Sequence, residues 1–567
     1  MEKSLPKRIK KKEIILVLII LVLGLFLRIY KITQLPPGLS SDETLTGFRA
    51  LSLVQTGKDE TNRRWPLIFT SFKDYQLPLS TYYLVPFVKL FGLSEYSIRL
   101  PFAFLGGISI LFFYLFVKNI FPGNIKIVLW SSFFFAINPW GVFLSRVASP
   151  ESISLFLIII GTYFLVKSKN ISHTLLGSIF LGISFYSTKS SWLFLPIFLC
   201  FLLLLLKYTS LLISRKNIVI SLFTIFVISF PIIYSYFRLS AVKQSFLEND
   251  FNIFSDIGII NGVNQMRGNE ILFGNQLLGK LFYNKTIYVS KLVENLLRHL
   301  TPRFFFASGD QNPLHGFSNF GPIFSILLPI VVVGIIFMIK KENKHFILFS
   351  LFLIAAVFPS VFTSRGPDQL RFLFSFPVIM IFAGYGMNYL SKKMIYTFIL
   401  LLLCNFLFVS YDVLFKEHKR SGKIWGNSIG NINFIFLEKY DRVYFTDAFN
   451  PDPGPQILFY SKLSPTIYLE QFSPKIFAYH NWINKFGKIQ VGQPEKLKII
   501  PGEKTLLIIS PEEENKIISF YIDPLNENKE NVLYCYKRLK IENTFFKYKT
   551  DEDYFLSSLS YGSCKLN

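Results

Sequence analysis

Eleven apolar runs of helix length recur along this chain: Ile14–Tyr30, Ile98–Ile120, Ile127–Phe143, Ile153–Val166, Thr174–Phe185, Trp192–Leu206, Ile218–Tyr236, Pro322–Ile339, Phe346–Phe362, Phe372–Leu390 and Met394–Leu414. A membrane-spanning helix needs about 20 mostly apolar residues, and a kinked or shielded one manages with fewer. The runs therefore predict a mainly α, polytopic membrane protein with about 11 transmembrane helices. Hydrophobic residues make up 51% of the 567, too many for a soluble protein of this size, and the 64 phenylalanines suit lipid-facing and helix-packing surfaces.

The formal charge of +24 would, on a soluble chain, suggest a nucleic-acid partner. Its distribution excludes that reading, because the Lys and Arg residues sit at the ends of the apolar runs, where they act as topology signals. Lys3, Lys7, Arg8, Lys10, Lys11 and Lys12 place the N-terminus in the cytoplasm, and the first run reads as an anchor, since no small-residue cleavage site follows it. The even-numbered gaps then carry Lys118 and Lys126; Lys167 and Lys169; Lys207, Arg215 and Lys216; Lys340, Lys341 and Lys344; and Lys392 and Lys393. This agrees with the positive-inside rule at every step. The odd-numbered gaps, 31–97, 144–152, 186–191, 237–321 and 363–371, are expected outside and gather the acidic residues, prolines and histidines.

Polar residues that collect on one face point to chemistry at a membrane surface. Leu35-Pro-Pro-Gly-Leu-Ser-Ser-Asp-Glu43 breaks the first helix and opens a loop. Ser40 or Ser41 can cap a short helix with Asp42 and Glu43 in its first turn. Thr44–Val54 has the spacing of an amphipathic helix lying on the membrane, and Leu79–Phe91 predicts a second interfacial helix. Arg146 and Glu151 flank the next break, with an interfacial anchor and a capping acid as their plain structural reading. Lys189 faces outward against the charge rule, which marks it as a functional candidate. The fourth odd-gap stretch ends in the turn cluster Gly309-Asp310-Gln-Asn-Pro313, followed by His315, and the fifth holds Arg365, Asp368 and Arg371.

From Lys416 charges become frequent and apolar runs shorten to strand length: Arg442–Phe445, Ile457–Tyr460, Leu506–Ile509 and Ile517–Ile522. The chain is expected to divide into a membrane module, 1–415, and an extracytoplasmic soluble α/β domain, 416–567, in which Cys535 and Cys564 could pair. No phosphate loop or dinucleotide fingerprint is present, which argues against direct use of cytosolic nucleotides.

The residues carrying a family resemblance are Asp42-Glu43; Leu93-Ser-Glu-Tyr-Ser-Ile-Arg99-Leu-Pro101; Ser145-Arg146 with Glu151; Ser187-Thr-Lys189; Phe305-Phe-Ala-Ser-Gly-Asp310 with Asn312-Pro and His315; and Arg365-Gly-Pro with Leu370-Arg371. In this order on one membrane face, the chain resembles the GT-C glycosyltransferases, and more narrowly the protein O-mannosyltransferase and aminoarabinose-transferase group, glycosyltransferase family 39. It departs from the group in reading Pro367-Asp368-Gln-Leu-Arg371 where relatives often have Pro-His-x-Leu-Arg. It also reads Gln76-Leu77-Pro78 where the aminoarabinose transferases have Lys-Pro-Pro.

The resemblance implies a multi-pass plasma-membrane enzyme. It would move a hexosyl or pentosyl group, with inversion, from a polyprenyl-phosphate-linked donor to a hydroxyl of an extracytoplasmic protein, lipid or glycan. Asp42 matches the family's first-loop acid and is the expected general base, at a cavity mouth where burial would raise its pKa; Glu43 would orient the acceptor or the helix of Asp42. Asp74, Arg146, Lys189, Arg365 and Arg371 are the expected substrate contacts, the cations meeting the leaving phosphate. Asp74, Asp310 and His315 could hold a divalent metal ion. Glu151 and Glu270 are expected to be structural. The competing classes are a transporter or flippase of lipid-linked sugars, which would spread its polar groups mid-span, and a scaffold, which leaves Lys189 and the Asp-Glu loop unexplained.

Overall fold

The computed structural model describes residues 11–71, 74–167, 170–204, 215–238, 253–254, 256–283, 286–310, 312–317, 319–363, 367–422, 424–430, 440–446, 454–471, 485–486, 488–492, 504–509 and 555–560. The first helix, α1 (Lys11–Ile29), leads through a loop to α2 (Ser41–Thr56), a hairpin of β1 (Phe69–Ser71) and β2 (Asp74–Gln76), and α3 (Leu79–Phe91). The helices of the next stretch are α4 (Glu95–Ile120), α5 (Ile125–Ile137), α6 (Pro139–Arg146), α7 (Pro150–Lys167), α8 (Ile171–Ser184), α9 (Lys189–Leu204) and α10 (Arg215–Arg238). Three shorter helices, α11 (Ile257–Leu272), α12 (Gln276–Phe282) and α13 (Thr286–His299), precede α14 (Leu327–Lys341), α15 (Asn343–Val361), α16 (Phe376–Met387) and α17 (Lys392–Phe415).

Each apolar run falls largely on helix. Five of the described helices, α4, α7, α10, α15 and α17, are long and apolar enough to cross a membrane; α5 and α6, bent by 50° at one break, make a sixth if they form a single span. The bend has a local cause. Pro139 offers no N–H to continue α5, and the Asn138 side chain accepts from the Trp140 N–H at 3.0 Å to start α6. Close helix approach uses small residues, as is usual in membrane bundles. Gly334 of α14 lies against the Phe382 carbonyl of α16, where an added Cβ would overlap it.

α2 differs from expectation in its setting. It is a helix, but its polar residues Thr44, Thr46, Arg49 and Ser52 are 0–4% exposed, so it does not lie on a membrane surface. The C-terminal region covers it, for α2 is enclosed by α3, by α20 (Gly454–Tyr460) and by α21 (Pro465–Gln471), which follow two short helices, α18 (Glu417–Ser421) and α19 (Asn427–Gly430). Phe48 enters an apolar cluster with Val443, Phe445, Ile457 and Tyr468, its ring edge-on to Tyr468 at 5.3 Å.

The membrane helices end at Phe415. Beyond them stands a five-stranded sheet of β3 (Arg442–Thr446), β4 (Lys485–Phe486), β5 (Ile489–Gly492), β6 (Lys504–Ile509) and β7 (Phe555–Ser560), in the order β4-β5-β3-β6-β7. β3 pairs in parallel with β5 and β6, while β4 and β7 run antiparallel at the edges. Ile457–Tyr460, expected as a strand, is the end of helix α20. Gly454-Pro455 begins that helix, and proline suits a first turn whose N–H groups have no helical partner. Ile517–Ile522, Cys535 and Cys564 lie outside the described residues.

Candidate active site

The loop before α2 is built by buried arginines. Arg99, at the start of α4 and 0% exposed, donates to the backbone carbonyls of Ile32 (3.1 Å), Pro36 (2.8 Å) and Gly38 (2.5 Å). Its Nε and one Nη also bond the two oxygens of Glu43, each at 3.0 Å. Glu43 is 1% exposed and takes two more backbone donors, Ser40 N–H at 3.1 Å and Ala148 N–H at 2.9 Å. Ser40 completes the capping box by accepting from the Glu43 N–H at 3.2 Å. Of the two roles expected of Glu43, this geometry serves the orientation of Asp42's helix, since its oxygens are filled by protein donors.

Arg146 requires a correction. It was expected to touch substrate, but it is 4% exposed, and its guanidinium is spread over the carbonyls of Leu27 (2.7 Å), Tyr30 (2.7 Å), Lys31 (2.9 Å) and Leu35 (2.8 Å). It closes the end of α1, where helix carbonyls lack partners and the dipole favours a cation. Arg28, 1% exposed, does similar work deeper in, bonding the carbonyls of Gly24 and Ala136, both at 2.8 Å, and Ser145 Oγ at 3.1 Å.

Asp42, one residue before Glu43, is exposed, so the burial expected to raise its pKa is not found. Gln76 Nε2 donates to Asp42 Oδ1 at 3.3 Å. Behind Gln76, Arg49 donates to the Gln76 Oε1 and pairs with Glu60 at 2.6 Å, both charges being 0% exposed. From the other side, C-terminal residues hold the backbone of Leu39: Tyr460 Oη accepts its N–H at 3.2 Å, and Gln456 Nε2 donates to its carbonyl at 2.8 Å. Tyr460 Oη in turn donates to Glu95 at 2.7 Å.

Several of the odd-numbered gaps touch one another. Tyr75, beside Gln76 on β2, packs edge-on against Tyr236 at 6.3 Å, and Lys189 Nζ lies 5.4 Å over the same Tyr236 ring. The Leu79 N–H donates to the Tyr186 carbonyl at 3.0 Å. Thr188 Oγ1 donates to Glu151 at 3.2 Å, and the Glu151 charge reaches His315. Glu151 also accepts from Ser149 Oγ at 2.6 Å, in keeping with its structural reading, as Glu270 accepts from Tyr283 and Asn275.

His315 lies within a three-residue cluster. Its Nδ1 is 2.5 Å from Asp310 Oδ2 and 3.9 Å from Asp368 Oδ1. Asp310 accepts the N–H groups of Asn312 (3.0 Å) and Gln369 (3.2 Å). Burial alone would favour neutral forms of this pair. The hydrogen bond and charge of His315 with the two N–H donors outweigh burial and lower the pKa of Asp310, while bonding to Asp310 and the Asp368, Asp310 and Glu151 charges raise that of His315. Asp368 is itself held: Arg371 pairs with it through Nε at 3.3 Å, and its backbone N–H donates to His299 Nε2 at 2.9 Å. His299 Nδ1 lies 2.7 Å from the Asn295 carbonyl, which fixes its neutral tautomer, and burial lowers its pKa. Just before the cluster, a π-turn at Phe304–Ser308 ends at Gly309, whose φ of 60° and ψ of −154° suit glycine alone.

Asp310, His315 and Asp368 each offer one ligand atom, all within 4.8 Å of one another, and two carboxylates with an imidazole suit a divalent cation. The expected third ligand was Asp74, which lies on β2 and whose side chain is outside the described part; Asp368 is the acid the structure brings to the pair. Arg365 lies outside the described residues. Sequence reasoning missed Asp368 as a partner of His315, and also Arg49, Gln76 and Glu60. For Arg99 a signal existed in a lone charge at the mouth of an apolar run.

A family model described as dolichyl-phosphate-mannose-protein mannosyltransferase matches residues 76–234. No curated protein matches the chain. Among solved structures, ArnT from Cupriavidus metallidurans in the apo state superposes with a TM-score of 0.52 at 10% identity, covering 89% of this chain and 94% of that one. The same ArnT bound to undecaprenyl phosphate gives a TM-score of 0.50 at 11% identity, covering 90% and 94%. The Archaeoglobus fulgidus oligosaccharyltransferase in the apo form gives 0.51 at 12% identity, covering 90% and 71%. Likeness over nine-tenths of the chain at such low identity is a likeness of fold: the chain is a polytopic membrane protein that shares the fold of ArnT and of the archaeal oligosaccharyltransferase.

Proposed function

We propose that this protein transfers a sugar from a polyprenyl-phosphate-linked donor to an acceptor hydroxyl on the extracytoplasmic side, with Asp42 as the general base. The observation that carries the reading is an exposed carboxylate at the start of a helix whose leading loop is fastened by the buried Arg99 and Arg146, in a chain that also holds Lys189 beside Tyr236 and the Asp310–His315–Asp368 cluster with Arg371. Supporting it are the fold shared with ArnT and the undecaprenyl phosphate bound by ArnT. The basic even-numbered gaps support the orientation.

In this mechanism the acceptor oxygen attacks the anomeric carbon as its proton passes to an Asp42 carboxylate oxygen. The bond from that carbon to the phosphate oxygen breaks, and the electron pair leaves with the lipid phosphate. Attack from the side opposite the leaving group inverts the anomeric centre. Lys189 and Arg371 meet the phosphate charge; Arg371 offers a planar fork that Asp368 keeps oriented. Asp310, His315 and Asp368 would hold a divalent cation, which supplies further charge neutralisation at the phosphate when bound.

The test is incubation of the purified full-length protein with a lipid extract of its native membranes, followed by mass spectrometry of the polyprenyl lipids. The expected result is loss of one sugar-bearing polyprenyl phosphate, gain of the bare phosphate and a sugar-sized mass increase in an acceptor. Movement of intact lipid-linked sugar between leaflets, with no phosphate released, would instead favour the flippase.

A further inference from the structure

We propose that α13 is an interfacial helix, with its apolar side in the lipid of the leaflet where the α15 span ends. Its partner is the boundary between lipid headgroups and acyl chains.

α13 (Thr286–His299) has 14 residues and is therefore about 21 Å long, short of the roughly 30 Å apolar core of a bilayer. It is not among the described helices long and apolar enough to cross a membrane. At about 3.6 residues per turn its side chains divide into three sides. Val289, Val293 and Leu297 stand on the first, continued by Leu300 just beyond the helix end, and these four are 48–59% exposed. Lys291, Glu294 and Arg298 stand on the second, where Glu294 pairs with Lys291 at 2.9 Å and with Arg298 at 2.6 Å. Asn295 and His299 stand on the third, and both are buried.

The third side fixes the depth. Asn295 Nδ2 donates to the carbonyls of Val361 and Thr363, both at 2.9 Å, and Val361 is the last residue of α15. α15 is long and apolar enough to span, so α13 is tied to the point where a span leaves the membrane. A short helix held at that level, with one charged and one apolar side, puts the first in water and the second in lipid. An apolar stripe left in water would forgo the free energy of its burial. α12, just before α13 in sequence, exposes Leu277, Leu281 and Phe282 as well. Lys280, Arg298 and Arg303 are exposed cations, which suit lipid phosphates.

The placement has a consequence for the cluster. His299 Nε2 accepts the Asp368 N–H at 2.9 Å, so the helix that rests on lipid also holds the backbone of Asp368. Asp310, His315 and Asp368 thereby stand near headgroup depth, where the phosphate of a lipid-linked donor lies. That consequence rests on the proposed function, whereas the placement of α13 does not.

The experiment uses full-length protein with its four cysteines replaced by serine. Val293→Cys, Leu297→Cys and Arg298→Cys each carry an environment-sensitive fluorophore, with one copy per phosphatidylcholine nanodisc. Quenching is read with lipids bearing a nitroxide near the headgroup, with lipids bearing it deep in the acyl chain, and with aqueous iodide. The Val293→Cys and Leu297→Cys labels should be quenched at least about twofold more by the shallow nitroxide than by the deep one, and should be shielded from the iodide that reaches the Arg298→Cys label. Val289→Cys reports the same side if a labelled protein departs from wild type in size exclusion. Labels on the apolar side as open to iodide as that of Arg298→Cys overturn the proposal and leave the stripe to a second copy or another protein. Shielding from iodide and from both nitroxides overturns it in favour of a cover from this chain. Stronger quenching by the deep nitroxide overturns it by putting α13 within the membrane core. Sugar transfer enters none of these readings, so they stand apart from the test of the proposed function.

Discussion

Asp42 and Glu43 are adjacent acids whose conservative replacements should fail in opposite ways. Glu43→Gln is the sharper perturbation. The two Glu43 oxygens accept four donors: Arg99 Nε and Ala148 N–H on Oε1, Ser40 N–H and Arg99 Nη2 on Oε2, all between 2.9 and 3.1 Å. A glutamine keeps one oxygen and turns an NH₂ against two of those donors, while the Arg99 charge, at 0% exposure, loses its partner. Breaking a buried ion pair from one side costs about 3–5 kcal/mol. Arg99 also fastens the carbonyls of Ile32, Pro36 and Gly38, so the loop leading to Asp42 should loosen with it. Asp42→Asn, by contrast, changes an exposed side chain and should alter stability by less than about 0.5 kcal/mol. The assay is thermal unfolding of detergent-purified protein followed by fluorescence-detected size exclusion, with both variants in parallel. Glu43→Gln should unfold at a clearly lower temperature and Asp42→Asn at the wild-type temperature. A Glu43→Gln protein as stable as wild type would refute the assignment of Glu43 as the anchor of the loop.

Three further outcomes follow from the same contacts. Calorimetric titration with Mn²⁺ or Zn²⁺ should show one site, and His315→Ala or Asp368→Asn should weaken it at least tenfold; equal affinity in both variants would place any metal elsewhere. Arg371→Lys keeps the charge and loses the fork that faces Asp368, so transfer should fall about tenfold or more, as it should in Lys189→Ala; full activity in both removes them from the phosphate. Tyr460→Phe keeps its ring packing and loses the bonds to Leu39 and Glu95, so turnover should drop severalfold at unchanged donor KM; an unchanged rate would confine the C-terminal contact to stability.

The membrane fold was legible because a bilayer imposes length and apolarity on every helix, and those properties are local in sequence. The contact between Glu151, Thr188 and the His315 cluster joins motifs that each lie at the end of an apolar run, and such ends are marked in sequence by a change from apolar to polar residues. The role of Arg146 was not. An arginine at a span end reads alike whether it meets a phosphate or backbone carbonyls, and only the folded return of α1 shows that its donors go to Leu27, Tyr30, Lys31 and Leu35. The setting of α2 was hidden because its cover, α20 and α21, comes some four hundred residues later. Ile457–Tyr460 was misread as a strand because a short apolar run has no period long enough to tell strand from helix. Asp368 was read as a departure from the family's histidine; its partner His315 lies far off in sequence, and only the fold brings them within 3.9 Å.

The most direct measurement on the central claim is single-turnover sugar transfer by Asp42→Asn protein, with binding of the polyprenyl donor measured on the same preparation. An amide keeps the shape and can still bond Gln76, but it cannot take a proton at neutral pH. The expected result is donor binding near wild type with the chemical step slowed about 10²–10⁴-fold. Transfer at the wild-type rate would contradict the assignment of Asp42 as the base.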